Sequence, residues 1–234
     1  MGGRDRASRV ENAPRIRDVP APRKNQSGLG PVMQRLFAWP YRAALAGLYR
    51  TGVRAWQLTI LSLVMNAAAA VLLLRGDRLL PGLLLIPAGL LDIFDGGVAR
   101  LRGEESRLGA FLDSVLDRVS DLLLFGCLFW SLAGQGQRTE AALALVTLVI
   151  SLFVSHLRAE AEAAGVSLSE GLFQRLERYV ALILGLTVPG LLLPVLALLT
   201  VLGGVTIGQR AWSAWHRLSE ADRSARPASP PASG

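Results

Sequence analysis

The sequence predicts an all-α integral membrane protein with six transmembrane helices preceded by an amphipathic interfacial helix. Three observations lead to this fold class. Hydrophobic residues make up 51% of the 234 residues, and the mean hydropathy is +0.39. Several apolar runs approach the roughly 20 residues that a helix needs to cross a bilayer. Arginines are concentrated in the segments that lie on one side of these runs, as the positive-inside rule describes for multi-pass proteins.

The two ends of the chain differ from its middle. Residues 1–30 are polar and lack the apolar core of a signal peptide, so we expect a disordered, basic N-terminal tail. A membrane domain is predicted over residues 31–218, and a second disordered tail, rich in Pro, Ser and Ala, over residues 219–234. Within the membrane domain, residues 32–50 mix aromatic, aliphatic and arginine positions. This mixture predicts a helix lying in the membrane interface, which Pro40 kinks or splits.

Six spans follow, at residues 56–74, 79–100, 109–132, 140–157, 172–189 and 191–212. The last two come from one apolar run of intermediate length, which we divide because Pro189, Gly190 and Pro194 lie near its middle. An even number of spans puts both termini on one side. The N-terminal segment, the 101–108 loop and the C-terminal end are rich in arginine, so that side is predicted to be the cytoplasmic face of the cell membrane.

Charge and cysteine content exclude some functions. The net charge is +7, and the first 54 residues hold eleven Lys and Arg against three Asp and Glu. Beside a membrane domain such a basic segment favours anionic lipid as its neighbour, and no nucleic-acid partner is expected. The single cysteine, Cys127, cannot form an intrachain disulfide and lies in an apolar helix, as a small buried residue would.

Four aspartates interrupt the apolar pattern near the second and third spans. Asp92 and Asp95 fall on one face of a helix at about 100° per residue. Asp113 and Asp117 are four residues apart and stack on one face of the next helix. Two facing helices would therefore pool four carboxylates. Clustered carboxylates bind hard cations such as Mg²⁺, and ionisable groups at membrane depth are rarely present without a function.

Small residues and one arginine accompany the aspartates. Gly96, Ala99 and Gly109 leave room for a bulky ligand to approach the backbone. Arg100 offers a planar, positively charged group that suits phosphate. The alternative is a set of solvated helix ends with i,i+4 charge pairs, but like charges at this spacing repel one another unless a cation joins them.

The complete pattern is Asp92-x2-Asp95-Gly96-x2-Ala99-Arg100-x8-Gly109-x3-Asp113-x3-Asp117. It resembles the signature of the CDP-alcohol phosphotransferases (CDP-alcohol phosphatidyltransferases) at every fixed position. The resemblance implies two divalent ions, Mg²⁺ or Mn²⁺, held by the aspartates. It also implies that Asp117 is the general base. The surface for the CDP group is then expected to comprise Gly96, Ala99, Arg100, Gly109 and, at the start of the first span, Thr59.

A second stretch is similar to the phosphatidylinositol-phosphate synthases within that family. Ser155, Arg158 and Arg175 stand where those enzymes bind the phosphate of inositol phosphate, with arginine at 158 in place of the usual lysine. Arg158 could instead be part of a solvated helix end, and Arg175 a positive-inside anchor. Asp121, one turn after Asp117, is expected to orient Arg118.

The resemblance implies a role in phospholipid biosynthesis. A phosphatidyl group would pass from CDP-diacylglycerol to the hydroxyl of an alcohol, with release of CMP. Inositol phosphate is the favoured acceptor, and glycerol-3-phosphate or another alcohol is the alternative. Relatives in the family are homodimers, so a homodimer is expected. Two other classes stay open: a divalent-cation transporter, which leaves Gly96, Ala99 and Arg100 unexplained, and an inactive lipid-binding relative.

Overall fold

The computed structural model describes residues 30–168 and 175–225, so most of both predicted tails lies outside the described residues. The described part folds into helices without a strand, which confirms the all-α prediction for these residues. The helices are α1 (Gly30–Thr51), α2 (Ala55–Leu74), α3 (Leu79–Arg102), α4 (Arg107–Gly134), α5 (Arg138–Ala163), α6 (Arg175–Thr187) and α7 (Leu192–Ala225).

Four of the described helices, α2, α3, α5 and α7, are long and apolar enough to cross a membrane. They correspond to the first, second, fourth and sixth predicted spans and make the chain a multi-pass membrane protein. The other two predicted spans correspond to α4 and α6. Helix α4 has 28 residues but carries several charged side chains, and the described part of α6 has 13 residues.

Several features of the helices differ from those predicted. Helix α1 runs unbroken through Pro40, so the proline does not split it. Helix α3 continues two residues past Arg100 and ends where Gly103 adopts a left-handed conformation with φ of 63°. Helix α7 continues to Ala225, beyond the predicted domain end at 218, because the added segment contains alanine, arginine and glutamate, which favour helix.

The break between the last two helices is where the sequence predicted it. Residues 188–191 connect α6 to α7, and Gly190 takes a φ of 79°, which glycine adopts without strain. Pro194 does not break the chain, because it lies in the first turn of α7, where a missing backbone N–H costs no hydrogen bond.

Six helices form a closed ring in which each packs against two neighbours. The order around the ring is α2, α3, α6, α7, α5, α4 and back to α2. Helices α3 and α4 therefore lie on either side of α2, and along the described chain they make no close backbone contact with each other. The two helices that were expected to face each other are therefore separated by α2 at the level of their backbones. The arrangement leaves a gap between the two helices that carry the aspartates.

The ring is held together mainly by leucine and alanine side chains. The largest buried cluster joins all six helices and includes Leu73, Leu85, Leu124, Leu182 and Leu196. In a lipid environment such packing depends on close van der Waals contact and on interhelical hydrogen bonds. One such hydrogen bond joins the hydroxyls of Thr147 and Thr200, whose oxygens are 3.1 Å apart across α5 and α7.

Helix α1 lies outside the ring and docks on α3 beside the aspartates. The ring of Tyr41 stacks on Phe94, with centroids 5.5 Å apart. A Cβ at Gly97 would lie 2.5 Å from the Tyr41 hydroxyl and 2.8 Å from Leu45 Cδ1. The second glycine of the Gly96-Gly97 pair therefore lets α1 approach the helix that carries Asp92 and Asp95.

Candidate active site

Three aspartates from two helices converge in the gap between α3 and α4. Asp92 and Asp95 of α3 and Asp113 of α4 each offer one carboxylate oxygen, and these oxygens lie within 4.8 Å of one another. The three positions range from buried Asp95 to exposed Asp113, so the cluster opens from the protein interior to its surface. Thr59 of α2 supports it, because its hydroxyl donates to Asp95 Oδ2 over 2.7 Å.

Asp117 lies one helical turn beyond Asp113, and a basic side chain from α6 links it to the cluster. Arg175 Nη1 is 2.6 Å from Asp117 Oδ1 and 2.7 Å from Asp92 Oδ2. These three side chains are between one quarter and one third exposed. Arg175 thus joins α3 and α4 across the gap, although it was predicted to bind the acceptor.

The cluster carries more negative than positive charge. The four carboxylates contribute a formal charge of −4, which Arg175 partly neutralises. Two like unit charges 4 Å apart repel by about 4 kcal/mol at an effective dielectric constant near 20. A divalent cation would relieve this repulsion. Carboxylate oxygens are the ligands that Mg²⁺ prefers.

The small residues of the signature lie around the ends of α3 and α4. A Cβ at Gly96 would have Arg100 Nη1, 3.7 Å away, as its nearest neighbour, so the surface there is open. The carbonyl of Ala99 accepts a hydrogen bond of 2.9 Å from Glu104 N–H and closes the end of α3. Gly109 N–H donates to Ser106 Oγ over 2.9 Å in the cap of α4.

The three residues predicted for the acceptor each have separate partners in the described part of the chain. Arg158 pairs with Glu162 over 2.8 Å on the exposed end of α5, and Arg175 contacts the aspartates instead. Among the described hydrogen bonds and ion pairs, none joins Ser155, Arg158 and Arg175 to one another.

Two other arginines surround Ser155. Arg118 Nη2 donates to the Ser155 carbonyl over 3.3 Å, and Arg210 Nη1 donates to the neighbouring Val154 carbonyl over 2.9 Å. Arg210 of α7 is only 6% exposed. Arg210 is not among the predicted site residues, although its position inside the predicted span 191–212 was a usable signal, because ionisable residues are costly in apolar spans.

Asp121 has different partners from the one expected. It was predicted to orient Arg118, but Arg118 bonds to Ser114 and to Ser155. Asp121 instead accepts a hydrogen bond from the Ser151 hydroxyl, and its Oδ2 lies 3.6 Å from Arg178 Nη2. The expectation was wrong because Arg178 comes from α6, which the local spacing of α4 cannot reveal.

Comparison with known proteins agrees with this architecture. Residues 53–214 match the model of the CDP-alcohol phosphatidyltransferase family. The chain is 35% identical to the phosphatidylinositol phosphate synthase of Mycobacterium marinum over 179 residues, which cover 72% of this chain and 76% of the relative.

Two crystal structures of the Mycobacterium tuberculosis phosphatidylinositol phosphate synthase also match. The structure with CDP-DAG bound has a TM-score of 0.67 and 31% identity, covering 74% of this chain and 92% of that chain. The structure in complex with manganese and citrate has the same score and identity and covers 74% and 88%. This chain therefore belongs to the CDP-alcohol phosphatidyltransferase family and is an enzyme of that class.

Proposed function

We propose that this enzyme makes a phospholipid by transferring the phosphatidyl group of CDP-diacylglycerol to a hydroxyl of inositol phosphate, releasing CMP. The observation that carries the proposal is the acidic cluster of Asp92, Asp95 and Asp113, with Asp117 one turn away and Arg175 between them. The relatives support the choice of substrates, since they are phosphatidylinositol phosphate synthases and one solved structure contains CDP-DAG.

The residues present fit a divalent metal. We assign Asp92, Asp95, Asp113 and Asp117 as ligands of two Mg²⁺ or Mn²⁺ ions. The support is a donor set made of carboxylates, which suits these ions, and a relative whose structure contains manganese. Bound ions would polarise the phosphates and neutralise charge on the attacking and leaving oxygens. Thr59 keeps Asp95 oriented through its hydrogen bond to Oδ2.

The nucleotide half of the donor would bind along the ends of α3 and α4. Gly96 leaves an open surface for the CDP group, and Arg100 Nη1 lies next to it. Ala99 and Gly109 belong to the two helix ends that border the gap, and Thr59 borders it from α2. The lipid tails would extend into the bilayer, because exposed apolar residues such as Leu108 and Phe111 flank the start of α4.

Asp117 would act as the general base. Arg175 contacts its Oδ1, so we assign the other oxygen, Oδ2, to the proton of the acceptor hydroxyl. As that proton moves to Asp117, the acceptor oxygen attacks the phosphorus attached to the lipid and CMP leaves. The carboxylate must lie within hydrogen-bond reach of the hydroxyl for this transfer, a position that the gap between α3 and α4 allows.

The acceptor phosphate would bind near Ser155, where Arg118 of α4 and Arg210 of α7 donate to backbone carbonyls. We propose Ser155, Arg158 and Arg175 as contacts and add Arg178 and Arg210 to them. Both added side chains are nearly buried, at 9% and 6% exposure. Buried guanidinium groups suit a phosphate because they present several donors in a fixed plane. Glycerol-3-phosphate carries the same phosphate group and is the alternative acceptor.

We also infer six membrane crossings, with α4 and α6 completing the ring that α2, α3, α5 and α7 begin. The charged residues of α4 and α6 would face the polar gap rather than lipid. Both termini and the active site would face the cytoplasm, where water-soluble acceptors are found, and α1 would lie in the interface with Trp39 exposed. Two copies would form the homodimer known for the family.

The experiment is an assay of CMP release by the purified protein in detergent. CDP-diacylglycerol and Mg²⁺ are supplied with inositol phosphate, glycerol-3-phosphate, inositol or no acceptor. We expect release with inositol phosphate and none after addition of EDTA. Release with glycerol-3-phosphate alone would overturn the acceptor and keep the reaction. No release with any of them, together with Mg²⁺ flux into vesicles, would favour the transporter.

A further inference from the structure

A buried chain of hydrogen bonds connects α6 to α2 and α3. The Tyr179 hydroxyl donates to Asn66 Oδ1 over 2.9 Å, and Asn66 Nδ2 donates to the Ser62 carbonyl over 2.9 Å. The Ser62 hydroxyl donates to the Ala88 carbonyl, also over 2.9 Å. Asn66 and Ser62 are 2% and 3% exposed. We call the chain Tyr179–Asn66–Ser62–Ala88 the helix latch.

Two glycines of α3 make room for α6 at the latch and beyond it. A Cβ at Gly89 would lie 2.7 Å from Tyr179 Cε1, so the tyrosine ring rests directly on the backbone of α3. A Cβ at Gly82, two turns earlier, would lie 2.6 Å from Thr187 Cγ2. Helix α6 thus packs closely on α3 near both of its ends. The ring of Tyr179 determines how closely the first turns of α6 approach the backbone of α3.

The hydroxyl of Tyr179 determines the position of α6 along its own axis. A shift by one residue moves a helix about 1.5 Å, which is enough to break the hydrogen bond to Asn66. The Asn66 oxygen would then be buried among apolar groups without this partner, and an unpaired polar group is costly there. The latch therefore specifies one register of α6 against α2 and α3.

That register determines where Arg175 lies. Arg175 precedes Tyr179 by four residues, so both lie on the same face of α6, one turn apart. Its Nη1 reaches Asp92 and Asp117, while its Nε is buried and has no hydrogen-bond partner in the described part of the chain. A buried donor of this kind beside the catalytic carboxylates is suited to an anionic group of a substrate.

We propose that Tyr179 and Asn66 are positioning residues for the acceptor: through the helix latch they hold Arg175 where it can bind the acceptor phosphate. This inference rests on the proposed function of the site. Tyr179 itself contacts neither the aspartates nor Arg175 in the described hydrogen bonds, so its effect passes through the register of α6.

The first test is Tyr179→Phe, which keeps the ring on Gly89 and removes only the hydroxyl. We expect the KM for inositol phosphate to rise about tenfold, the factor that corresponds to one hydrogen bond. The KM for CDP-diacylglycerol should change by less than about twofold, because the donor residues lie on α2, α3 and α4. Tyr49→Phe is the matched control: Tyr49 contacts Arg102 through its ring, and neither KM should change. A purely structural role would lower kcat and leave both KM values unchanged, which would overturn the proposal.

A double-mutant cycle tests the route through Arg175. Asn66→Ala should reproduce the effect of Tyr179→Phe, and the double variant should be no worse than either, because both lose the same hydrogen bond. In an Arg175→Ala background, Tyr179→Phe should no longer change the KM for inositol phosphate. A rise that persists in this background would contradict the positioning role.

A binding measurement separates failure of this inference from failure of the proposed function. If wild-type protein releases no CMP with inositol phosphate, the proposed function fails. The positioning role of Tyr179 is then tested by thermal unfolding, with inorganic phosphate as the probe. Phosphate should raise the thermal midpoint of the wild type and of Tyr49→Phe more than that of Tyr179→Phe. Equal shifts in all three proteins would overturn the inference.

Discussion

Replacing Arg175 by alanine tests whether this side chain balances the charge of the aspartate cluster. Its Nη1 makes two contacts, 2.7 Å to Asp92 and 2.6 Å to Asp117. At these separations each charged pair attracts by about 6 kcal/mol at an effective dielectric constant near 20, and dehydration of the arginine offsets much of this. Hydrogen bonds to charged groups contribute about 1.5–3 kcal/mol net. We therefore expect Arg175→Ala to lose about 3 kcal/mol, or about 6–12 °C in thermal midpoint for a chain of this size.

The assay is thermal unfolding in detergent, with EDTA and with saturating Mg²⁺. Removal of Arg175 leaves Asp92 and Asp117 facing each other without the cation, so Mg²⁺ should stabilise the variant more than the wild type. Arg158→Ala is the matched control, because its ion pair with Glu162 is more than half exposed. Exposed pairs contribute about 0–1 kcal/mol, so its midpoint should fall by less than about 4 °C.

Two results would contradict the charge-balancing role of Arg175. The first is a midpoint for Arg175→Ala in EDTA that equals that of Arg158→Ala. The second is a difference in thermal midpoint between Arg175→Ala and the wild type that is the same with Mg²⁺ as with EDTA. Charge repulsion between carboxylates must respond to a bound cation.

Three further predictions concern the base, the metal and the docking of α1. Asp117→Asn should lower CMP release by about 10²-fold or more and preserve CDP-diacylglycerol binding, and an active variant would remove the base assignment. Asp113→Asn should raise the Mg²⁺ concentration for half-maximal activity by roughly tenfold, since affinity follows the charge of the ligands, and an unchanged Mg²⁺ titration would exclude it as a ligand. Gly97→Ala should destabilise the protein by about 1–3 kcal/mol, because its Cβ would lie 2.5 Å from the Tyr41 hydroxyl. Gly126→Ala, whose Cβ would have no neighbour within 4 Å, should not destabilise it, and equal midpoints for the two variants would contradict this account of α1.

The sequence was most informative where the relevant distance is local. Hydropathy located α2 and α3 to within two residues, because a membrane helix is one continuous apolar segment. The spacing of Asp92 to Asp95 and of Asp113 to Asp117 placed each pair on one helix face. The structure adds that α3 and α4 lie on either side of α2 and that their carboxylates converge in the gap between them.

The contacts made by α6 and α7 could not be predicted in the same way. Arg175 was expected near Ser155 and Arg158, but it contacts aspartates more than 50 residues away in sequence. Arg210 was read as part of an apolar span, yet it lies beside Ser155. Residue spacing along one helix does not indicate which helix packs against it. The contacts of Arg175 and Arg210 depend on the order of the six helices in the ring.

The most direct measurement of the central claim is the mass of the lipid that the enzyme forms. CDP-diacylglycerol, inositol phosphate and Mg²⁺ are incubated with wild-type protein or with Asp117→Asn, and the lipid extract is analysed by mass spectrometry. We expect the wild type to form a lipid in which the phosphatidyl group is joined to inositol phosphate, and we expect this lipid to be absent with the variant. Unchanged CDP-diacylglycerol, or phosphatidic acid formed by transfer to water, would contradict the proposed function.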